Sequence, residues 1–193
     1  MDLTQGTLKE KVNRSKKTMM WFAMVSMGMV FAGLTSAYVV SKSRNDWLSD
    51  LVFPSAFMYS TVVVILCSLF LYSSIKAIKK GNRAIATGFL LGTLVLGILF
   101  IFLQFKGFED IISQGYFFTG SESTVTTSFI YAIVITHIAH VVGGLLVLFT
   151  VIYNHFKQKY QPAQTLGLEL GAMYWHFVDF LWVYLFLFLY FFR

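Results

Sequence analysis

The stretch AIATGFLLGTLVLGILFIFLQF, Ala84 to Phe105, carries no charged side chain. An α-helix rises about 1.5 Å per residue and a bilayer's hydrocarbon core is about 30 Å thick, so roughly 20 apolar residues make one crossing. The stretch is continuous, whereas the strands of a membrane barrel alternate over about ten residues, and so it reads as a membrane-spanning helix. Just before it stand Lys79, Lys80, Gly81 and Asn82, a short polar turn with a glycine. Upstream of that turn is a second apolar run of similar length, from Pro54 to Ile78. A turn this short makes the two helices antiparallel neighbours, with Pro54 suited to a helix start.

Three more runs qualify, at about 18–40, 128–153 and 170–192. The first follows a polar, basic segment over residues 1–17 and is longer than the apolar part of a cleavable signal, so it reads as a retained anchor. Pro162 and Gly167 mark the connection into the last run. The expected fold is therefore all-α: a polytopic membrane protein built as one bundle of five transmembrane helices over residues 18–193. No internal repeat is visible, which disfavours a transporter made from inverted halves.

The counts agree. Hydrophobic residues make up 57% of the 193 and charged residues 12%, with a mean hydropathy of +0.70, outside the range of a soluble domain. The net charge of +6 does not form a broad nucleic-acid-binding patch, because the basic residues sit beside the apolar runs. Eleven Lys and Arg, among them Lys9, Arg14, Lys17, Lys79, Arg83 and Lys157, fall on one side of the membrane. Lys42, Arg44, Lys106 and Arg193 fall on the other, together with Asp46, Asp50 and Glu122. The excess of positive charge places the N-terminus in the cytoplasm and the C-terminus outside. Cys67 is the one cysteine, which excludes an intrachain disulfide and an all-cysteine metal site.

Ionisable groups inside a span cost about 2.5–3.5 kcal/mol on insertion scales, so each is a functional candidate. His137 and His140 share a face of the fourth span beside Gly143 and Gly144, where another helix can approach closely. They read either as haem or metal ligands, with His176 supplying the partner, or as imidazoles bonded across a helix interface. The second reading is favoured, because two histidines three apart make a weak ligand signal without carboxylate or cysteine companions. Glu169, His176 and Asp179 open the fifth span, and the spacing of the last two allows one to hold the other in a hydrogen bond. Trp175 and Trp182 lie on the same stripe as Asp179. This end of the span reads as a lipid-headgroup, partner-subunit or proton-relay site, or as a helix-start acid with tryptophans at interfacial depth. Gln104 closes the third span. The methionines of the first span, Met19, Met20, Met24, Met27 and Met29, are read as packing residues. Gly88 and Gly92 form a small-residue face for helix contact, and no phosphate loop or nucleophile motif is present.

The run Tyr174, Trp175, His176, Phe177, Val178, Asp179, then Trp182, with Glu169 before it, resembles the signature of cytochrome oxidase subunit III. The segment from His137 through His140 to Gly143 and Gly144 is similar to that family's histidine-rich segment. Leu103 with Gln104, and Ser26 with Met29, Phe31, Ala32, Gly33 and Tyr38, match two more of its helices. Two positions depart from it: Met27 stands where the family has a buried glutamate, and Gly107 where it has an acid. The resemblance implies an accessory subunit of a proton-pumping haem-copper oxygen reductase, in the five-helix form of bacterial cytoplasmic membranes. It implies no redox centre in this chain, haem and copper in partner subunits, direct contact with subunit I, association with subunit II, and bound phospholipid supporting sustained proton uptake. Gln104, His137, His140, Glu169, Trp175, His176, Asp179 and Trp182 are then expected to be structural, lipid or subunit contacts, with no catalytic residue among them. The alternative is a haem b anchor with ligands among His137, His140 and His176.

Overall fold

A computed structural model describes residues 7–44, 47–48, 52–120, 123–160 and 165–192, so Asp46, Asp50, Glu122, Pro162 and Arg193 lie outside the described residues. Five helices make up the fold: α1 (Leu8–Ser41), α2 (Ser55–Lys79), α3 (Arg83–Ser113), α4 (Val125–Phe156) and α5 (Leu166–Phe192). All five are long and apolar enough to cross a membrane, and among the described residues there is no β-strand beyond an isolated bridge between Phe117 and Ser123. A helix satisfies its backbone hydrogen bonds within itself, as the interior of a bilayer requires.

Local chemistry explains where the helices begin and end. α1 starts at Leu8 rather than at Thr18, because Thr7 and Glu10 form a reciprocal capping box: the Glu10 amide donates to Thr7 Oγ1, and the Thr7 amide to Glu10 Oε2 at 2.8 Å. The charged segment thus continues the helix beyond its apolar part. Pro54 occupies the position just before α2. The α2–α3 turn is a Schellman motif, with Gly81 at φ 76°. The Gly81 amide donates to the Ile78 carbonyl and the Asn82 amide to the Ala77 carbonyl, and Asn82 then caps α3.

The bundle runs up and down. α2 and α3 share the most extensive interface, as their short turn requires, and α5 packs against α1, α2 and α4. Contacts at the two ends fix this order. Lys17 near the start of α1, Lys79 at the end of α2 and Glu169 at the start of α5 meet at one end. At the other, Thr35 of α1 lies 3.3 Å from the Tyr184 hydroxyl of α5.

The interior divides into two apolar clusters. One is aromatic and includes Phe31, Tyr38, Phe57, Phe100, Tyr131 and Trp182; the other gathers Leu71, Leu90, Leu145, Leu148, Leu168 and Trp175. Met24 and Met27 of α1 face inward while Met19 and Met29 face outward, so the methionines form no single inward stripe. Met27 is buried in the aromatic cluster. At Gly107 the Phe57 ring occupies the space a side chain would need, which explains why no acid fits there in this chain. Gly92 receives the Phe70 ring, whereas Gly88 faces open space.

Candidate functional site

The polar candidates separate into three groups, each made by different helices. In the first, His137 of α4 is fully buried and surrounded by rings: Trp182 at 5.1 Å, Phe100 at 5.8 Å and Phe31 at 6.2 Å between centroids. Neither of its ring nitrogens has a hydrogen-bond partner. His140, one turn on, also packs on Phe31, but its Nδ1 donates back to the Thr136 carbonyl at 2.7 Å. The expectation that both imidazoles hydrogen-bond across a helix interface is not met: His137 has no hydrogen-bond partner, His140 bonds within α4, and the two share Phe31 as an aromatic neighbour. Trp182 closes the box and turns its indole N–H to Thr61 Oγ1 of α2 at 3.1 Å.

In the second group, Ser68 of α2 holds both polar groups of α5: its hydroxyl donates to Asp179 Oδ2 at 2.5 Å and lies 3.0 Å from His176 Nδ1. The expected link between His176 and Asp179 therefore runs through a third residue that sequence reading missed. A signal for it existed, since Ser68 lies midway along an apolar run, where a hydroxyl needs a partner. Asp179 is buried and His176 half-buried.

Trp175 and Trp182 sit inside the bundle and do not face outward as interfacial tryptophans would. Trp175 fills a notch between α3 and α4, where a Cβ added at Gly97 or Gly144 would come within 3.1 Å of its ring. The glycine beside the histidines does admit another helix, as its sequence suggested, and the Tyr174 hydroxyl of that helix donates to the His140 carbonyl at 2.9 Å. Gln104 is also interior, its Nε2 donating to Ser60 Oγ of α2 at 2.9 Å.

The third group lies at the end of the bundle. Glu169 accepts from Thr165 Oγ1 at 2.9 Å, and its carboxylate lies 2.9 Å from Lys79 Nζ and 3.8 Å from Lys17 Nζ. Nearby, Arg83 donates to the Tyr160 carbonyl at 3.0 Å. Buried His155, which the sequence reading passed over, meets Thr87 Oγ1 at 2.8 Å. In the loop after α4, burial pushes the Tyr160 phenol above its ordinary pKa.

Chemically, these groups tie helices together. Among the described residues no group of three His, Cys, Asp or Glu side chains could hold a metal ion. The enclosed cavity beside Asp179, Phe100 and Trp175 measures about 10 Å³, space on the scale of one water. This is a multi-pass helical membrane protein in which Ser68, Gln104, His176, Asp179 and Trp182 bond helix to helix within the spans. A family model described as cytochrome c oxidase subunit III matches residues 4–193, and the chain belongs to that family. It is 23% identical over 191 residues to a cytochrome bo(3) ubiquinol oxidase subunit 3 of Buchnera aphidicola, covering 97% of this chain and 92% of the relative. It is 29% identical over 174 residues to a cytochrome c oxidase subunit 3 of Corynebacterium diphtheriae, covering 84% and 81%. A probable cytochrome c oxidase subunit 3 of Mycobacterium leprae is 27% identical over 206 aligned positions, with full coverage of both chains. The chain is therefore a subunit III of the haem-copper oxidase family.

Proposed function

We propose that this chain stabilises subunit I of a proton-pumping oxygen reductase, binds phospholipid and supports sustained proton uptake, without electron transfer of its own. The observation that carries this reading is the family match over nearly the whole chain. The interior supports it, because the conspicuous histidines are taken up by packing and local bonds: His137 sits in an aromatic box, His140 bonds back within α4, and His176 bonds to Ser68 of α2. Relatives named as cytochrome c oxidases and as a ubiquinol oxidase both match, in keeping with an electron donor chosen in another subunit.

In this reading the chain lies in the bacterial cytoplasmic membrane with its N-terminus inside, as the distribution of Lys and Arg favours. Gln104, His137, His140, Trp175 and Trp182 hold the bundle together, while Glu169 and half-buried His176 sit where a lipid or a second subunit can meet them, with buried Asp179 held beside His176 through Ser68. The test is purification of the tagged chain in mild detergent, with partners identified by mass and a visible spectrum taken before and after stripping to the lone subunit. Haem absorbance should leave with a copurifying subunit I. Absorbance retained by the isolated chain would replace this reading with the haem b anchor.

A further inference from the structure

Ser68 and Asp179 lie near the middles of α2 and α5. At about 1.5 Å per residue each is ~16 Å or more from either helix end, too deep for lipid headgroups or bulk water. Yet the site opens sideways. Ser68, His176 and Asp179 line a groove of about 230 Å³ on the outside of the bundle, walled by Ile65, Leu69, Phe180 and Val183. Phe180 is 71% exposed, Leu69 55% and Ile65 48%, so the rim faces whatever surrounds the protein.

Counting protons shows what the groove lacks. Ser68 has one hydroxyl proton, and it goes to Asp179 Oδ2. Its contact with His176 Nδ1 must then be accepted from an N–H, which leaves Nε2 of the neutral imidazole as a bare acceptor. Asp179 Oδ1 is a second acceptor, and neither atom receives a hydrogen bond from the described residues. Hydrocarbon offers no donor, and a polar group at this depth that borders the bilayer is costly unless it is paired. A second copy of the chain has no Lys, Arg or Asn in the middle of any helix, and its Gln104, toward the end of the third span, is buried and already engaged by Ser60.

We propose that the α2–α5 groove receives a transmembrane helix of a different subunit, and that a donor side chain of the Lys, Arg, Asn or Gln class at mid-depth on that helix bonds His176 Nε2 and Asp179 Oδ1. This rests on the accessory-subunit reading and names the chemistry of one of its contacts. In the membrane such a contact fixes register as well as affinity, because an unmatched acceptor pair is penalised at every other position of the partner helix.

The test places a photoactivatable amino acid at position 65 or 180, on the groove rim, and at Leu146 of α4, which is 65% exposed, as a control. The intact complex is illuminated in membranes and the adducts are mapped by mass. Rim positions should join a span of another subunit that carries such a donor at mid-depth, and the control should not join that span. Adducts solely with lipid, with a second copy, or with a donor-free helix would overturn the proposal. In the same complex Asp179→Leu should lower the amount of chain retained per haem on detergent washing by roughly 3- to 10-fold, with the isolated chain's helix content unchanged. Undiminished retention in that variant would also overturn it. A wild-type chain that never copurifies with a haem-bearing subunit would instead sink the accessory-subunit reading beneath it.

Discussion

His137 and His176 are the same residue type on neighbouring helices, in two opposite settings. The imidazole of His137 is sealed among Phe31, Phe100 and Trp182 with both nitrogens unpartnered. That of His176 is half-buried, tied through Ser68 to Asp179, and borders a lateral groove. The first ring acts as one aromatic surface among others and pays for two idle polar atoms. The second uses one nitrogen and presents the other. A histidine in a span therefore signals chemistry only as far as its neighbours allow, and here the hydroxyl of Ser68 marks the difference.

The change expected to disturb this contrast most is Trp182→Ala. It opens the box around His137, removes the ring packed on Phe57 and Phe100, and leaves Thr61 without its indole donor. Large-to-small changes at aromatic core positions cost about 3–5 kcal/mol, much of it from the cavity left behind. A cavity of this kind also forfeits the packing that holds membrane helices together. Unfolding of the purified chain by titration with a denaturing detergent should show the midpoint fall sharply; an unchanged midpoint would mean the aromatic cluster is not the fold's centre.

Next in size is Ser68→Ala, which acts on the other histidine. It removes the bridge between His176 and Asp179 and leaves a buried carboxylate without its donor. Hydrogen bonds between membrane helices contribute about 0.6–2 kcal/mol, so the loss in the same titration should be clear but smaller than for Trp182→Ala. Replacement by threonine, which restores the hydroxyl, should recover most of it. Failure of that rescue would show that the serine matters for its small size rather than for its proton.

The two histidines also mark how far the sequence could be read. Five long apolar runs, the glycine turn after Lys80 and the close approach at Gly144 were legible, because chain length, turn chemistry and the absence of a side chain act locally. The start of α1 was not, since its capping box lies in a polar segment that hydropathy treats as tail. The site was legible in its members and not in its pairings. His137 and His140 read as a pair of cross-helix hydrogen bonders because they share a helix face, but what surrounds each is decided by α1, α3 and α5. Ser68 is one hydroxyl among several along α2, and only the register of α2 against α5 selects it for Asp179. Trp175 and Trp182 looked interfacial by residue type, yet the notch at Gly97 and Gly144 and the Thr61 hydroxyl draw them inside.

A third change should reverse the sign. His137→Leu replaces the sealed ring with an apolar side chain of similar volume and removes two buried polar atoms that have no partners. Volume-conserving apolar swaps usually cost less than about 1.5 kcal/mol, and the released desolvation penalty of an unsatisfied group is of similar size. Stability should stay level or rise slightly, whereas His176→Leu, which breaks a hydrogen bond, should lower it. A substantial loss in His137→Leu would show that a water or proton inside the box uses those nitrogens, and the contrast between the two histidines would collapse.

The smallest effect is expected at the end of the bundle. Glu169 holds Lys79 at 2.9 Å and Lys17 at 3.8 Å, which joins the ends of α1, α2 and α5, but the glutamate is 30% exposed and the lysines about half exposed. Exposed ion pairs contribute about 0–1 kcal/mol and weaken with salt. Glu169→Gln keeps an acceptor for Thr165 and discards the charge. It should therefore lower the unfolding midpoint slightly at low ionic strength, and the difference from wild type should vanish in 1 M salt. A loss that persists at high salt would show that the carboxylate works by hydrogen bonding in a desolvated pocket, which would make this end of the bundle resemble the Ser68 site more than its exposure suggests.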